Sequence, residues 1–266
     1  MRSSNMKSLL ALFAAFCLVA SPALAGITQI VGSGTGGSIG SASSTTSLTP
    51  FSTAAVTANV PAGSLIVVTF DQRSANNTGW SCTDTASTPN TYTQATTSLG
   101  TGDATAIFYA IAGASGNLVN GTSVVTCHGS GSATTAAFTV TAFSGVAASP
   151  LDQSGSNNGT STALSPVPAS ATATLACSAA NSELAVSTVS GHNAVTNGGT
   201  GTFTSTGSPN IYGVGAFQIL SSNSGVQWTN SITQTSATWA GSLATFKAST
   251  CNLSSGHTLL LTGVGE

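Results

Sequence analysis

The sequence predicts an all-β protein, an antiparallel β-sandwich of jelly-roll-like type built from two pseudo-repeated halves. Three observations predict it. Apolar runs of strand length recur along the chain, as in Leu65-Ile66-Val67-Val68-Thr69-Phe70, Thr105-Ala106-Ile107-Phe108-Tyr109-Ala110-Ile111 and Ala137-Phe138-Thr139-Val140-Thr141-Ala142-Phe143. Clusters such as Ser74-Ala75-Asn76-Asn77-Thr78-Gly79 and Thr196-Asn197-Gly198-Gly199 punctuate them with turn chemistry. Beyond residue 25 no stretch shows a 3.6-residue apolar period with charged residues opposite it. Abundant Thr adds to the case, because its β-branched side chain suits a pleated surface.

Taken in chain order, the first element is an export signal. Arg2 and Lys7 precede the apolar run Leu9 to Ala20, and Ala23-Leu24-Ala25 supplies the small residues that a signal peptidase reads. Residues 1–25 therefore read as a signal peptide cleaved before Gly26. The apolar run is shorter than the ~20 residues a spanning helix needs. The expected product is secreted or held at the cell surface, with no transmembrane segment after cleavage.

Residues 26–50 are rich in Gly, Ser and Thr. Ile27-Thr28-Gln29-Ile30-Val31 reads as an edge strand, and the remainder as a flexible, loosely packed segment. The sandwich is expected over 51–250, with halves at about 51–149 and 169–250. Pro150, Pro166 and Pro168 mark the join. Residues 251–266 fit neither half and form a tail.

Four blocks recur in the same order. Leu65 aligns with Leu184, Tyr92-Thr93-Gln94 with Phe203-Thr204-Ser205, Ile107 to Ile111 with Ala216 to Leu220, and Phe143 with Phe246. Two tandem domains or two halves of one core would both produce this order. The shortness of the second half favours the shared core.

The chain also resembles a known group. The run from Asp84 to Thr93, with Asn90-Thr91-Tyr92 inside it, looks like the Asp…Asn-x-Tyr hairpin of uncharacterised exported bacterial β-sandwich proteins. Phe143-Ser144-Gly145-Val146, Pro150-Leu151-Asp152 and the run from Trp239 to Lys247 are similar to the same set. The resemblance covers about residues 51–248 and implies a lectin-like or jelly-roll fold. It implies no activity and no catalytic residue.

Composition bounds the chemistry. Only 4% of the 266 residues are Asp, Glu, Lys or Arg, against about 25% in ordinary soluble domains. Cleavage of the signal leaves Arg73 and Lys247 as the basic residues beside six acids. A nucleic-acid partner is excluded on this count, since that affinity rests on clustered Lys and Arg. A glycosidase pair has to come from Asp71, Asp84, Asp103, Asp152 and Glu183. Glu183 precedes one expected strand and Asp71 follows another, so the two stand at opposite ends of equivalent strands. Asp84 and Asp103 read as loop-opening residues bonded to nearby backbone N–H groups. No Gly-x-Ser-x-Gly elbow is present for a serine nucleophile. His192 is the best lone histidine, and it falls in an expected loop.

No cofactor is required by these motifs. Calcium is the one candidate metal, with Asp71, Asp84, Asp103 or Asp152 as hard oxygen ligands. Cys82, Cys127, Cys177 and Cys251 read as two disulfides in an exported chain. Three pairings are open, and Cys82–Cys127 with Cys177–Cys251 keeps each bond within one half. Aromatic rings flanked by neutral hydroxyls suit sugars, which makes Trp80, Tyr212 and Trp228 the candidate carbohydrate contacts. Trp239 is expected in the core. The leading expectation is a non-catalytic exported protein with a structural, adhesive or surface-assembly role, its partners neutral glycans or further copies of itself. A carbohydrate-binding module and a polysaccharide hydrolase or lyase are the alternatives.

Overall fold

The structure, a computed structural model, describes residues 26–44, 50–73, 79–129, 135–160, 163–164, 183–191, 196–197, 203–207, 213–220, 232–233 and 238–249. The signal segment 1–25, Cys177, Cys251, Tyr212, Trp228, His192 and the tail 251–266 lie outside the described residues.

Strand is the dominant regular structure of the described chain, beside one short 3-10 turn at Thr35–Gly37. The first half contains β1 (Thr28–Ile30), β2 (Gly40–Ser44), β3 (Phe51–Ser52), β4 (Leu65–Arg73), β5 (Ser81–Asp84), β6 (Thr93–Leu99), β7 (Asp103–Ile111), β8 (Val125–His128) and β9 (Thr135–Ser144). The second contains β10 (Val146–Gly159), β11 (Ala163–Leu164), β12 (Glu183–Gly191), β13 (Thr196–Asn197), β14 (Thr204–Gly207), β15 (Gly213–Leu220), β16 (Ile232–Thr233) and β17 (Trp239–Ala248). All pairings are antiparallel.

Two large sheets form the sandwich. One runs β1-β9-β4-β7-β6, with β2 also on β9, and the other runs β10-β17-β12-β15-β14. Two small sheets, β3-β8-β5 and β11-β16-β13, accompany them. From β2 to β6 the chain alternates between its large and its small sheet, which is the winding of a jelly roll.

Alternation along β4 explains why the sequence there is continuously apolar. Ile66, Val68 and Phe70 enter a core beneath the small sheet, with Phe138, Trp80, Val125 and Cys127. Leu65 and Val67 point the other way, into a second core with Phe143, Leu184, Val186, Phe217 and Phe246. Both faces of β4 are covered, so every side chain from Leu65 to Phe70 is buried. In the first core the Phe51 ring lies 5.1 Å from Phe138, and Phe70 lies 5.1 Å from Trp80. Cys82 and Cys127 face each other across β5 and β8 and form a disulfide, as the sequence pairing expects.

The second core is the contact between the two large sheets, and it is graded. Its apolar end carries the Leu, Val and Phe residues named above. Toward the other end the same inner face becomes polar, through Thr69, Asp71, Asp103, Thr105, Thr188, Ser190 and Ser242, all buried. Hydroxyls tie the sheets there: Thr105 Oγ1 lies 2.9 Å from Ser242 Oγ, and the Ser190 hydroxyl donates to the Gln72 carbonyl at 2.9 Å. Two glycines permit the approach. A Cβ on Gly213 would sit 2.2 Å from Asp71 Cγ, and one on Gly215 would sit 2.6 Å from Thr69 Oγ1.

The outermost strands of the two large sheets are also tied at one side. The Thr96 hydroxyl on β6 donates to the Gly155 carbonyl on β10 at 3.3 Å, and the Ser98 hydroxyl donates to the Asn157 carbonyl at 2.6 Å. Side-chain hydroxyls thus occupy edge carbonyls that would otherwise offer a template for strand addition.

The structure departs from the sequence expectation over residues 26–44, the described part of the 26–50 segment. The edge strand is present as β1, but the following segment is not loosely packed. β2 pairs with β9 from Gly40↔Val140 to Ser44↔Ala136, and Ile27 and Ile39 are buried. Small residues let this strand lie flat on β9, which a composition-based reading mistakes for looseness.

Candidate functional site

A buried polar network begins at Asp84, the last residue of β5. Its Oδ1 accepts the backbone N–H groups of Ala86 at 3.1 Å and Asn90 at 3.3 Å. Its Oδ2 accepts Asn90 Nδ2 at 2.7 Å and the Tyr92 hydroxyl at 3.0 Å. Burial first, then the Asp84 charge, pushes the Tyr92 phenol well above its ordinary range, so it remains a donor. Asn90 carries the network onward: its Nδ2 also donates to the Gly116 carbonyl at 2.8 Å, and its Oδ1 accepts the Gly113 N–H at 3.1 Å. Gly116 is required there, because a Cβ would fall 2.1 Å from Asn90 Oδ1. One buried carboxylate therefore fastens the 84–92 loop to the 113–116 turn.

A surface groove lies beside this fastening. One hollow of about 350 Å³ runs between Thr88–Thr91 and Gly113–Gly116. A second of about 410 Å³ continues past Thr91 and Ile111 to Tyr109 and the start of β10, Ala148–Leu151. The hollows share Thr91 and Ile111, so they form one trough. Its lining includes exposed Thr88, Thr91, Thr93, Ser115 and Ser149, the half-buried Tyr109 ring and, among the described residues, no Asp, Glu, Lys, Arg or His. Tyr109 is held edge-on against Phe246, with ring centres 5.4 Å apart. Sequence reasoning missed Tyr109 because it sits inside an apolar run. Its parity is that of buried Thr105 and Ile107, and only the ladder register with exposed Thr93 at the outer end of the sheet sets it apart.

The acidic residues take up other positions. Asp71 lies within β4 rather than after it, 3% exposed, and Asp103 opens β7 fully buried, its Oδ2 accepting the Thr238 hydroxyl at 2.5 Å. Glu183 is the first residue of β12, not a residue preceding it, and is 1% exposed. Its partner is not Asp71 but Asp152. Glu183 stands opposite Lys247 on β17, and Asp152 follows Leu151, which stands opposite Phe246 on the same strand. Burial, and then the Asp152 charge, push the Glu183 carboxyl up to about 7, against the pull of Thr245 and Lys247. A long β10 with two register shifts brings these acids together, and that irregularity is invisible in a strand-by-strand reading.

Trp80 is 7% exposed and packed on Phe70, so its ring belongs to the core, as does Trp239 at 5%. The four candidate calcium ligands are dispersed: Asp84 in the fastening, Asp71 and Asp103 between the large sheets, Asp152 beside Glu183. Among the described residues no three His, Cys, Asp or Glu side chains gather. The Ser81 hydroxyl and His128 Nε2 lie 2.8 Å apart on the exposed face of the β3-β8-β5 sheet. No helix among the described residues is long and apolar enough to cross a membrane. No protein-family model matches the chain, and neither a curated protein nor a solved structure matches it.

Proposed function

We propose that this protein works outside the cell as a non-catalytic structural and adhesive module that associates with neutral partners, further copies of itself among them. One observation carries the reading: among the described residues no Asp, Glu, Lys or Arg side chain is exposed. The few charges lie inside the sandwich or are half-buried at its strands. A surface of Ser, Thr, Asn and Gly has no like-charge repulsion to hold molecules apart, and low surface charge favours association. Exposed Val31 and Val119, at 68% and 49%, add apolar contact points. Export is supported by the 1–25 pattern and by a disulfide within the fold. The hydrolase alternative has less support, because Glu183, the acid raised toward neutrality, is buried and not set in an open trough.

The proposal includes the origin of the fold by duplication. Adding eight to each strand number turns β9-β4-β7-β6 into β17-β12-β15-β14, and β3-β8-β5 into β11-β16-β13. Leu65 opposite Phe143 corresponds to Leu184 opposite Phe246. Two copies of one unit, packed through their large sheets, account for both the order and the register.

Sedimentation and light scattering of the chain from Gly26 onward test the function. The expected result is association that grows with concentration and is unchanged between 50 and 500 mM salt, an interval over which charge-driven contacts are screened. Val31→Lys with Val119→Lys is expected to weaken it. A strict monomer at high concentration overturns the self-assembling form of the proposal.

A further inference from the structure

We infer that the trough between Thr88 and Leu151 is a binding site for a neutral oligosaccharide, with Tyr109 as the stacking ring. The inference rests on the adhesive reading above and names the ligand class for one part of that surface. The lining excludes the other classes by chemistry. A phosphate, sulfate or carboxylate ligand would shed water with no cation in the trough to meet it, which is costly. A lipid chain would strip water from the hydroxyls of Thr88, Thr91, Thr93, Ser115 and Ser149 without replacing their hydrogen bonds. A sugar satisfies both constraints: its C–H face packs on an aromatic ring while its hydroxyls exchange bonds with neutral donors and acceptors.

Size and rigidity agree with this. The hollows of about 410 and 350 Å³ each fall in the range of small-molecule sites, and their common boundary at Thr91 and Ile111 suits a chain of at least two sugars. The Asp84–Asn90–Gly116 bonds fix one wall before any ligand arrives, so little ordering is left to oppose binding. Tyr109 is held by Phe246 from behind, which orients its ring.

The test is calorimetric titration of the chain from Gly26 onward with tetrasaccharides of β-1,4-glucose, β-1,3-glucose, α-mannose and N-acetylglucosamine, beside a sulfated tetrasaccharide. The expected result is binding of at least one neutral probe, with less than a twofold change in affinity between 50 and 500 mM salt. Tyr109→Ala should weaken it at least tenfold while Tyr109→Phe retains it. Because Tyr109→Ala also removes a contact to Phe246, Ser149→Trp, which obstructs the hollow from an exposed position, provides a second variant and should abolish binding. Silence toward every neutral probe overturns the inference. So does binding that survives Ser149→Trp, or binding confined to the sulfated probe. Self-association that persists while every probe fails leaves the adhesive reading standing and removes only this site; saccharide binding by a strict monomer does the reverse.

Discussion

Thr105 on β7 and Ser242 on β17 place their hydroxyl oxygens 2.9 Å apart in the buried layer between the two large sheets. Each is fully buried, so each depends on the other for a partner from the facing sheet. Thr105→Val or Ser242→Ala alone leaves one buried hydroxyl short of a bond and is expected to cost about 1–2 kcal/mol. The double replacement removes both polar atoms and should cost less than the two single losses together. Urea unfolding of the four proteins closes the cycle, and simple additivity would mean that the pair is not coupled.

Asp84, buried at the end of β5, is expected to be the most sensitive residue of the 84–92 fastening. Asp84→Ala removes the acceptor of two backbone N–H groups and the Tyr92 hydroxyl and one of the two acceptors of the Asn90 amide, and should destabilise the fold by about 3 kcal/mol. Tyr92→Phe removes one of these bonds and should cost about 1 kcal/mol. Thermal melts of the two variants should therefore differ clearly, and equal shifts would refute the hierarchy.

Glu183 imposes a pH dependence whose sign follows from its surroundings. Its carboxyl is raised from 4.5 to about 7 in the folded chain, so between these values the folded state holds a proton that the unfolded state has released. Stability is then full below about pH 4.5 and declines as pH rises toward 7. Glu183→Gln should flatten that decline, as seen in melting temperature against pH. A slope that is unchanged in the variant would locate the titration elsewhere.

Two glycine replacements separate contact from backbone conformation. Gly213→Ala drives a Cβ to 2.2 Å from Asp71 Cγ, in a layer with no slack, and is expected to be severely destabilising. Gly63 has a φ of +79° but open space around it, so Gly63→Ala should cost only about 1–2 kcal/mol. Chemical denaturation ranks the two.

The Cys82–Cys127 bond closes a separation of 45 residues and should contribute about 4 kcal/mol through loop closure. Replacing both cysteines with Ala, or reducing the bond, should lower the denaturation midpoint without changing which strands pair. Amide exchange over β5 and β8 checks the second half of that statement.

Apolar runs of strand length made β4, β7 and β9 legible, and the double-sided burial of β4 is why its run is uninterrupted. Cys82–Cys127 belongs to the favoured one of the three pairings the sequence leaves open, and it is the bond observed. Asp84 was legible as a loop-opening residue bonded to nearby backbone N–H groups, but the places of Asp71, Asp152 and Glu183 were not. Asp71 and Glu183 looked like strand-flanking residues because a charge usually ends an apolar run, whereas here the polar end of the inter-sheet layer and the strand Lys247 occupies accept them. Asp152 meets Glu183 only through the register shifts of β10, which no local pattern encodes. Tyr109 was hidden for a related reason: a site formed where β7, the 84–92 loop and the start of β10 converge depends on distances through space.

Placing the described charges on strands has a further result for cleavage by proteases. Beyond residue 25 an enzyme that cuts after Lys or Arg finds two targets, Arg73 and Lys247. Arg73 closes β4 between Asp103 and Thr135, and Lys247 lies beside Glu183 in the ladder of β17. A cleavable peptide must be drawn out of its sheet before it can enter such an enzyme's cleft. Trypsin should therefore cut after Lys247, inside β17, only once that ladder opens.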